Sequence, residues 1–190
     1  FSAVCLHLPD AGERSVTTIA AGGENRAEIR FEVPISDIQQ IWTPDMQVPF
    51  QERKWWISKE SSPQRSMPCI AYFNTAEQNV LFFGSESLEW DNRLESKVNQ
   101  ERGVYEVKLA VVAGEGTLRP FKVTLDRRPV AWTKAIGDWR DGLAYGRGRY
   151  PDGAWKPVYC SWYAAHAAIS AEWTERMAAI AADLGFGTVI

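Results

Sequence analysis

The side chains best suited to hold a ligand follow one predicted strand near the end of the sequence. Residues 157–162 form an unbroken, mostly apolar run of strand length, which is typical of a parallel strand buried on both faces. Trp162, Tyr163 and His166 stand at its carboxyl end. Barrels of parallel strands carry their sites in the loops after the strands, and large aromatic rings can stack on the C–H faces of sugars. We therefore predict that Trp162 and Tyr163 contact a ligand.

Each of these side chains also has a purely structural explanation, which the sequence leaves open. Trp162 and Tyr163 would serve equally well in the packing of a barrel. His166 is one of two histidines in the chain, and the simpler expectation for it is a loop residue bonded to backbone or solvent. It stays in the candidate set with the two aromatic residues. Cys160, inside the predicted strand, is expected to be a small buried apolar side chain.

The residues that follow predict a loop, a helix and the start of a second strand. Residues 163–169 are predicted to be the loop, and Ser170 suits the N-cap of a helix whose first turn carries Glu172. Gly185 stands where a helix favours a left-handed cap, and residues 188–190 begin a β-branched run. One apolar stripe runs along the helix at Trp173, Met177, Ile180, Ala181 and Leu184.

This strand–helix–strand unit is too small to bury its own strands. A parallel pair needs a crossover helix, which is right-handed almost without exception, but one and a half strands cannot cover both of their faces. We therefore expect the partner strands to lie in further polypeptide beyond Ile190. The alternative that stays open is a chain whose end docks on another molecule.

The same stretch resembles a known family. Residues 157–164 (PVYCSWYA), 172–184 and 185–190 (GFGTVI) look like the first βα unit of the catalytic barrel of glycoside hydrolase family 36. That family contains the α-galactosidases and their raffinose-processing relatives. The resemblance covers about thirty-five residues, and upstream it rests on domain order alone: a β-rich domain, a linker helix and a barrel. The family position that matches Trp162 is usually an aromatic residue near the sugar pocket.

The resemblance implies a reaction whose machinery lies elsewhere. It implies retaining hydrolysis of an α-galactoside-like carbohydrate by two carboxylates about 5 Å apart, with no metal or organic cofactor. The family's catalytic aspartates lie on later barrel strands, and its sugar-holding Asp-Asp-Gly-Trp motif would follow Ile190. No catalytic residue is therefore assigned in this chain, which is expected to be inactive without the remainder of the barrel.

The first two thirds of the sequence predict a β-sandwich. Alternation marks residues 27–33 and 105–111 as strands, and residues 69–73 with 80–83 as a hairpin. A second hairpin is predicted from 105–111 to 121–125 across a glycine turn, and one helical turn near residues 38–42. The full expectation is a mainly β fold with some α: a sandwich over 1–128, a linker helix and loop over 129–155 (the helix at 130–145), and over 156–190 the start of a truncated (β/α)8 barrel.

Trp56 is the remaining candidate for contact with carbohydrate. Residues 54–58 (KWWIS) predict a short strand, so one ring of the pair Trp55 and Trp56 should face inward and the other outward. The outward ring would rim the sugar pocket, in its own subunit or in a neighbouring subunit of a homo-oligomer. By contrast, the acidic residues Glu86, Glu89, Asp91 and Glu95 are expected to form a solvated face rather than an acid–base pair.

Composition excludes several classes of protein. A net charge of −3 gives no basic surface for nucleic acid or for an anionic membrane, and the apolar runs are far shorter than the roughly twenty residues of a membrane helix. Three cysteines without CxxC spacing argue against a disulfide scaffold or a zinc site, and favour the cytoplasm. Two functions remain: the N-terminal part of an α-galactosidase-like hydrolase, or a non-catalytic β-sandwich that binds carbohydrate or a partner protein.

Overall fold

A computed structural model describes residues 2–44, 56–62, 66–143 and 152–190. The fold is mainly β with some helix, as the sequence predicts. The chain divides into two compact units, residues 1–143 and 144–190, and each is described by itself. The strands of the first unit are β1 (Ser2–Cys5), β2 (Arg14–Ile19), β3 (Arg26–Pro34), β4 (Gln40–Trp42), β5 (Trp56–Ser61), β6 (Cys69–Phe73), β7 (Asn79–Ser85), β8 (Asp91–Asn99), β9 (Val104–Val112) and β10 (Phe121–Asp126).

These strands form two five-stranded sheets that share one hydrophobic core. Sheet A has the order β1-β3-β9-β8-β5 and sheet B the order β2-β10-β7-β6-β4. Ring pairs join the sheets: the centroids of Phe31 and Phe83 lie 4.9 Å apart, and those of Tyr72 and Tyr105 lie 5.4 Å apart. The Tyr72 hydroxyl also lies 2.7 Å from the hydroxyl of Ser96, which satisfies both buried groups.

The alternation predicted for residues 27–33 is confirmed. Ala27, Ile29, Phe31 and Val33 are all buried in the shared core, because successive side chains of a strand point to opposite faces. Glu28 departs from the simple pattern, since it lies on the outer face but is only 5% exposed. The guanidinium groups of its neighbours cover it, and the one on Arg30 forms an ion pair with its carboxylate.

One predicted hairpin is confirmed and the other is wrong. β6 and β7 pair antiparallel, as expected for residues 69–73 and 80–83. β9 and β10 do not form a hairpin: β9 lies in sheet A between β3 and β8, whereas β10 lies in sheet B between β2 and β7. Both strands bury alternate residues in the same core, so their alternation fits either sheet. The glycine segment at 114–116 therefore crosses from one sheet to the other.

The helical turn predicted near residues 38–42 is also wrong. Residues 40–42 are strand β4, which pairs antiparallel with β6 so that Ile41 faces Tyr72. Ile38 and Ile41 are fully buried, and their spacing of three residues suggested one helical face. Pairing with the edge of sheet B satisfies the backbone of this segment instead, which outweighs the local pattern.

The helix predicted at 130–145 forms as α1 (Trp132–Asp141) and packs on the outer face of sheet B. Trp139 is 2% exposed, and its ring lies 5.5 Å from that of Phe82. Trp132 stacks on Phe73 at 4.6 Å. Gly84 makes this packing possible, because a Cβ atom there would lie 2.6 Å from the Trp139 ring. The helix expected in the linker is therefore held on the sheet, and most of the loop predicted after it lies outside the described residues.

The second unit contains a 3-10 turn (Asp152–Trp155), β11 (Val158–Tyr159), α2 (Trp162–Ala165), α3 (Ala171–Asp183) and β12 (Thr188–Val189). β11 and β12 pair in parallel, with Val158 facing Thr188 and Tyr159 facing Val189. The predicted cap is confirmed, since the Ser170 hydroxyl accepts the backbone N–H of Trp173 at 3.2 Å. Gly185 has the expected left-handed conformation, with a φ of 84°.

Three expectations for this unit are corrected. The predicted strand 157–162 is shorter than expected and is not buried on both faces, since Val158 is 47% exposed. Cys160 follows the strand and is exposed rather than buried. The predicted loop 163–169 begins inside the short helix α2. In the described part of this unit β11 has one neighbouring strand, β12, so its other edge and much of its surface stay uncovered.

Candidate functional site

The candidate site in the second unit begins where the parallel pair ends. The Tyr159 carbonyl accepts the backbone N–H of Ile190 at 2.9 Å, and the Ser161 N–H donates to the Ile190 carbonyl at 2.7 Å. The ladder therefore holds the chain through Ser161, and the next residue starts α2. Trp162 is consequently fixed at the carboxyl end of β11, which is the position at which parallel barrels carry their ligand contacts.

Trp162 and His166 form a ring pair at this position. Their ring centroids lie 5.3 Å apart with an interplanar angle of 78°, which is an edge-to-face arrangement. The backbone N–H of His166 also donates to the Trp162 carbonyl at 2.8 Å. Trp162 nevertheless remains 57% exposed, so its contact with the imidazole leaves more than half of the side-chain surface accessible to a ligand.

His166 has an unusual backbone. Its φ is 47°, in the left-handed region that a residue with a Cβ atom rarely adopts. Such a conformation costs on the order of 1–3 kcal/mol and persists where the surrounding structure enforces it. Here it ends α2 abruptly and keeps the imidazole against Trp162. The sequence favoured a structural role for His166, and this stays a prediction, because the bond to the Trp162 carbonyl is made by the backbone of His166 and not by its imidazole.

The four residues predicted to bind substrate fall in different places. Trp162 and His166 lie together, as described. Tyr163 lies in α2, but its side chain is outside the described part of the structure. Trp56 belongs to the first unit, and Trp55 lies outside the described residues. The Trp162–His166 pair supplies an apolar ring face and an imidazole, which can bind a sugar. It cannot alone perform glycoside hydrolysis, because that reaction uses two carboxylates.

Trp56 lies at one end of a groove on sheet A. The groove has a volume of about 760 Å³ and reaches from the chain at Cys5–Leu8, beside β1, to the indole on the opposite edge strand, β5. Trp56 is 60% exposed. This outcome agrees with the prediction that one ring of the tryptophan pair faces outward. The sequence did not indicate the groove itself, because its charged members lie on the outward positions of ordinary amphipathic strands or in a turn between them.

Ion pairs hold most of the charged side chains of this groove. Arg102 forms a bidentate pair with Glu32, in which Nη1 donates to Oε1 at 2.6 Å. Lys108 lies 2.6 Å from Glu95, and this hydrogen bond is the main cause of a lowered pKa for the Glu95 carboxyl. Lys97 is different, since within the part of the chain that the structure describes it has no ion-pair partner.

Of the four acidic residues predicted to form a solvated face, two form ion pairs at the surface and a third is exposed. Glu89 pairs with Arg119, and Glu95 pairs with Lys108 and Arg93, so both carboxylates are neutralised by cations at the surface. Asp91 is exposed on β8. Among the described residues, no group of three or more histidine, cysteine or acidic side chains is arranged to hold a metal ion.

Comparison with models of known protein families, with curated proteins and with solved structures returned no match. None of the helices within the described ranges combines the length and the apolar character needed to cross a bilayer.

Proposed function

We propose that this chain is the N-terminal part of a retaining α-glycoside hydrolase of the α-galactosidase type, and that Trp162 forms one wall of its sugar site. One observation carries the proposal: β11 and β12 run parallel with α3 between them, and the carboxyl end of β11 presents an exposed indole. A strand, a helix and a parallel strand constitute the repeating unit of a (β/α)8 barrel.

The rest of the chain is consistent with the domain order of such an enzyme. In this proposal sheets A and B are the two layers of an N-terminal β-sandwich, and the shared core supports that interpretation. The helix α1 closes the outer face of sheet B at the end of this domain. The segment after it leads to the first barrel strand.

The proposed chemistry assigns binding to this chain and bond cleavage to later strands. One carboxylate attacks the anomeric carbon while a second, as acid, protonates the departing glycosidic oxygen. The second carboxylate then acts as base and activates the water that hydrolyses the bond between sugar and enzyme. Trp162 would stack on the C–H face of the sugar at the cleavage site. Two carboxylates suffice for this reaction, so the proposal requires no cofactor. The chain 1–190 alone should show no turnover.

The test uses the polypeptide that continues past Ile190. It should hydrolyse p-nitrophenyl α-galactoside, and Trp162→Ala should lower kcat/KM by at least tenfold, because an aromatic stack of about 1.5 kcal/mol is lost. Trp155→Ala is the matched control, since Trp155 is also an exposed tryptophan of the second unit. Equal activity in the two variants would contradict the role of Trp162. Absence of any glycosidase activity would contradict the proposed function.

The second candidate function is a non-catalytic β-sandwich that binds carbohydrate. The groove that ends at Trp56 favours it, because this groove lies entirely within the first unit and needs no barrel. The residues encoded after Ile190 separate the two candidates. A continuation that resembles Asp-Asp-Gly-Trp supports the hydrolase, whereas a stop codon supports the binding module.

A further inference from the structure

The groove on sheet A has the dimensions of a site for an extended ligand. It crosses five strands, and neighbouring strands lie about 4.8 Å apart, so its length is about 19 Å. Its volume of about 760 Å³ falls within the range of about 300–1,000 Å³ that small-molecule sites occupy. A long, shallow groove across a sheet fits a chain of several units better than it fits a compact molecule.

Trp56 gives this groove an aromatic platform. Among the described residues of the first unit, it is the only phenylalanine, tyrosine or tryptophan that is exposed, at 60%. The other tryptophans described there, Trp42, Trp90, Trp132 and Trp139, are buried or half-buried. An indole left on an outer sheet face loses the free energy that burial would supply, about 25 cal/mol per Å² of apolar area. A ligand with an apolar face would recover it.

A row of polar side chains continues from this platform across the sheet. Trp56 faces Lys97 on β8, Lys97 faces Glu106 on β9, and Glu106 faces Glu32 on β3. Residues opposite one another in antiparallel strands have Cβ atoms about 5 Å apart. Beyond the indole the row therefore presents one donor, Lys97, followed by two acceptors, Glu106 and Glu32, at intervals of about 5 Å. Lys97, which has no ion-pair partner among the described residues, supplies a free donor beside the indole.

The charges of the groove identify the class of ligand. Four basic and three acidic side chains line it: Arg30, Lys97, Arg102 and Lys108, with Glu32, Glu95 and Glu106. This near balance disfavours a polyanion, which would meet three carboxylates, and a polycation, which would meet four basic side chains. An uncharged ligand rich in hydroxyl groups can use both kinds of side chain, because hydrogen bonds to charged groups are stronger than neutral ones.

We infer that this groove binds a neutral oligosaccharide, with one sugar ring stacked on Trp56 and the hydroxyls of the adjoining ring bonded to Lys97 and Glu106. The groove is lined by residues of the first unit alone, and the inference does not depend on the proposed hydrolase activity. Its function is to hold a carbohydrate chain, not to cleave it. The carboxylates of the groove are ion-paired, so they act as hydrogen-bond acceptors.

The test is a calorimetric titration of the chain 1–190 with raffinose, stachyose, cellohexaose, xylohexaose and mannohexaose, and with hexagalacturonic acid as the anionic probe. At least one neutral oligosaccharide should bind, and more tightly than its disaccharide. Trp56→Ala should weaken that binding by at least about tenfold, and Lys97→Ala by about threefold to tenfold. Trp56→Phe, which keeps a smaller ring, should retain part of the affinity and guards against loss of the fold.

Matched controls separate the groove from the rest of the surface. Trp155→Ala and Lys122→Ala replace an exposed tryptophan and an exposed lysine outside the groove, and both should bind within twofold of the unaltered chain. The inference is overturned if no neutral oligosaccharide binds, if Trp56→Ala binds as well as the controls, or if hexagalacturonic acid binds more tightly than every neutral probe.

Discussion

Replacing Gly84 with alanine tests how α1 is held on sheet B. The added Cβ atom would lie 2.6 Å from Cε2 of Trp139, and 2.8 Å from Cδ2 and Nε1. The ring cannot withdraw freely, because Trp139 is buried and packs against Phe82. Forcing a methyl group into a packed site costs about 1–3 kcal/mol. Alanine also restricts the unfolded chain, which offsets about 0.4–1 kcal/mol of that cost.

The net expectation for Gly84→Ala is a loss of about 1–2 kcal/mol in the free energy of unfolding. In a domain of this size that corresponds to a fall in Tm of roughly 2–8 °C. Urea unfolding followed by circular dichroism measures the free energy, and thermal unfolding measures the Tm. Gly114→Ala is the matched control, since a Cβ atom there meets nothing within 4 Å.

A double-mutant cycle shows whether the cost comes from the Trp139 ring. In a Trp139→Leu background the fused ring is gone, so Gly84→Ala should become nearly neutral or slightly stabilising. The difference between the two backgrounds should be at least about 1 kcal/mol. An equal cost in both backgrounds would refute the contact between α1 and Gly84, and with it the placement of this helix on sheet B.

Three further predictions concern single residues. Burial raises the pKa of the Cys69 thiol to about 12. Iodoacetamide should therefore label the other two cysteines of the native chain and spare Cys69 until urea unfolds the protein, which peptide mass spectrometry would show. Labelling of Cys69 in the native chain would contradict its burial. Ser170→Ala removes the cap of α3 and should destabilise the second unit by about 1 kcal/mol, measured by hydrogen exchange of that helix, whereas Ser170→Asp should preserve protection. Lys108 lowers the pKa of Glu95, so the stabilisation from this pair is present above the usual glutamate pKa and is lost as pH falls through the lowered value. Lys108→Ala should therefore raise the pKa of Glu95 in a carboxyl-detected NMR titration. An unchanged pKa would exclude the pair.

The local sequence pattern was sufficient to predict a strand that packs one face against the core. Residues 27–33 alternate apolar and polar side chains without a break, and the structure buries the apolar ones. The cap at Ser170 and the left-handed Gly185 are equally local, since each depends on a few neighbouring residues. Such features can be predicted because the chemistry that decides them is contained in the sequence segment itself.

No single segment of the sequence indicates which strands pair with one another. β9 and β10 follow one another and alternate in the same way, yet they belong to different sheets. Residues 38–42 have apolar spacing that suits a turn of helix, but residues 40–42 pair with the edge of β6 as a strand. In both cases a contact between distant parts of the chain decided the outcome, and periodicity carries no information about such contacts.

The residues of the candidate sites were also only partly predictable from the sequence. Trp162, His166 and Trp56 could be selected from sequence because aromatic residues after or on a predicted strand are distinctive. Lys97 could not, since it is one of many charged residues on outward strand positions. Its importance comes from the register that places it opposite Trp56, and from the lack of an ion-pair partner among the described residues. Register across two strands is visible only in the folded chain.

We propose above that this chain is the N-terminal part of a retaining α-galactosidase. It is tested most directly by following the hydrolysis of an α-galactoside with proton NMR, using the polypeptide translated through the codons that follow Ile190. We expect the longer polypeptide to release galactose that is initially the α anomer, and residues 1–190 alone to release none. Initial release of the β anomer, or no hydrolysis by the longer polypeptide, would contradict it.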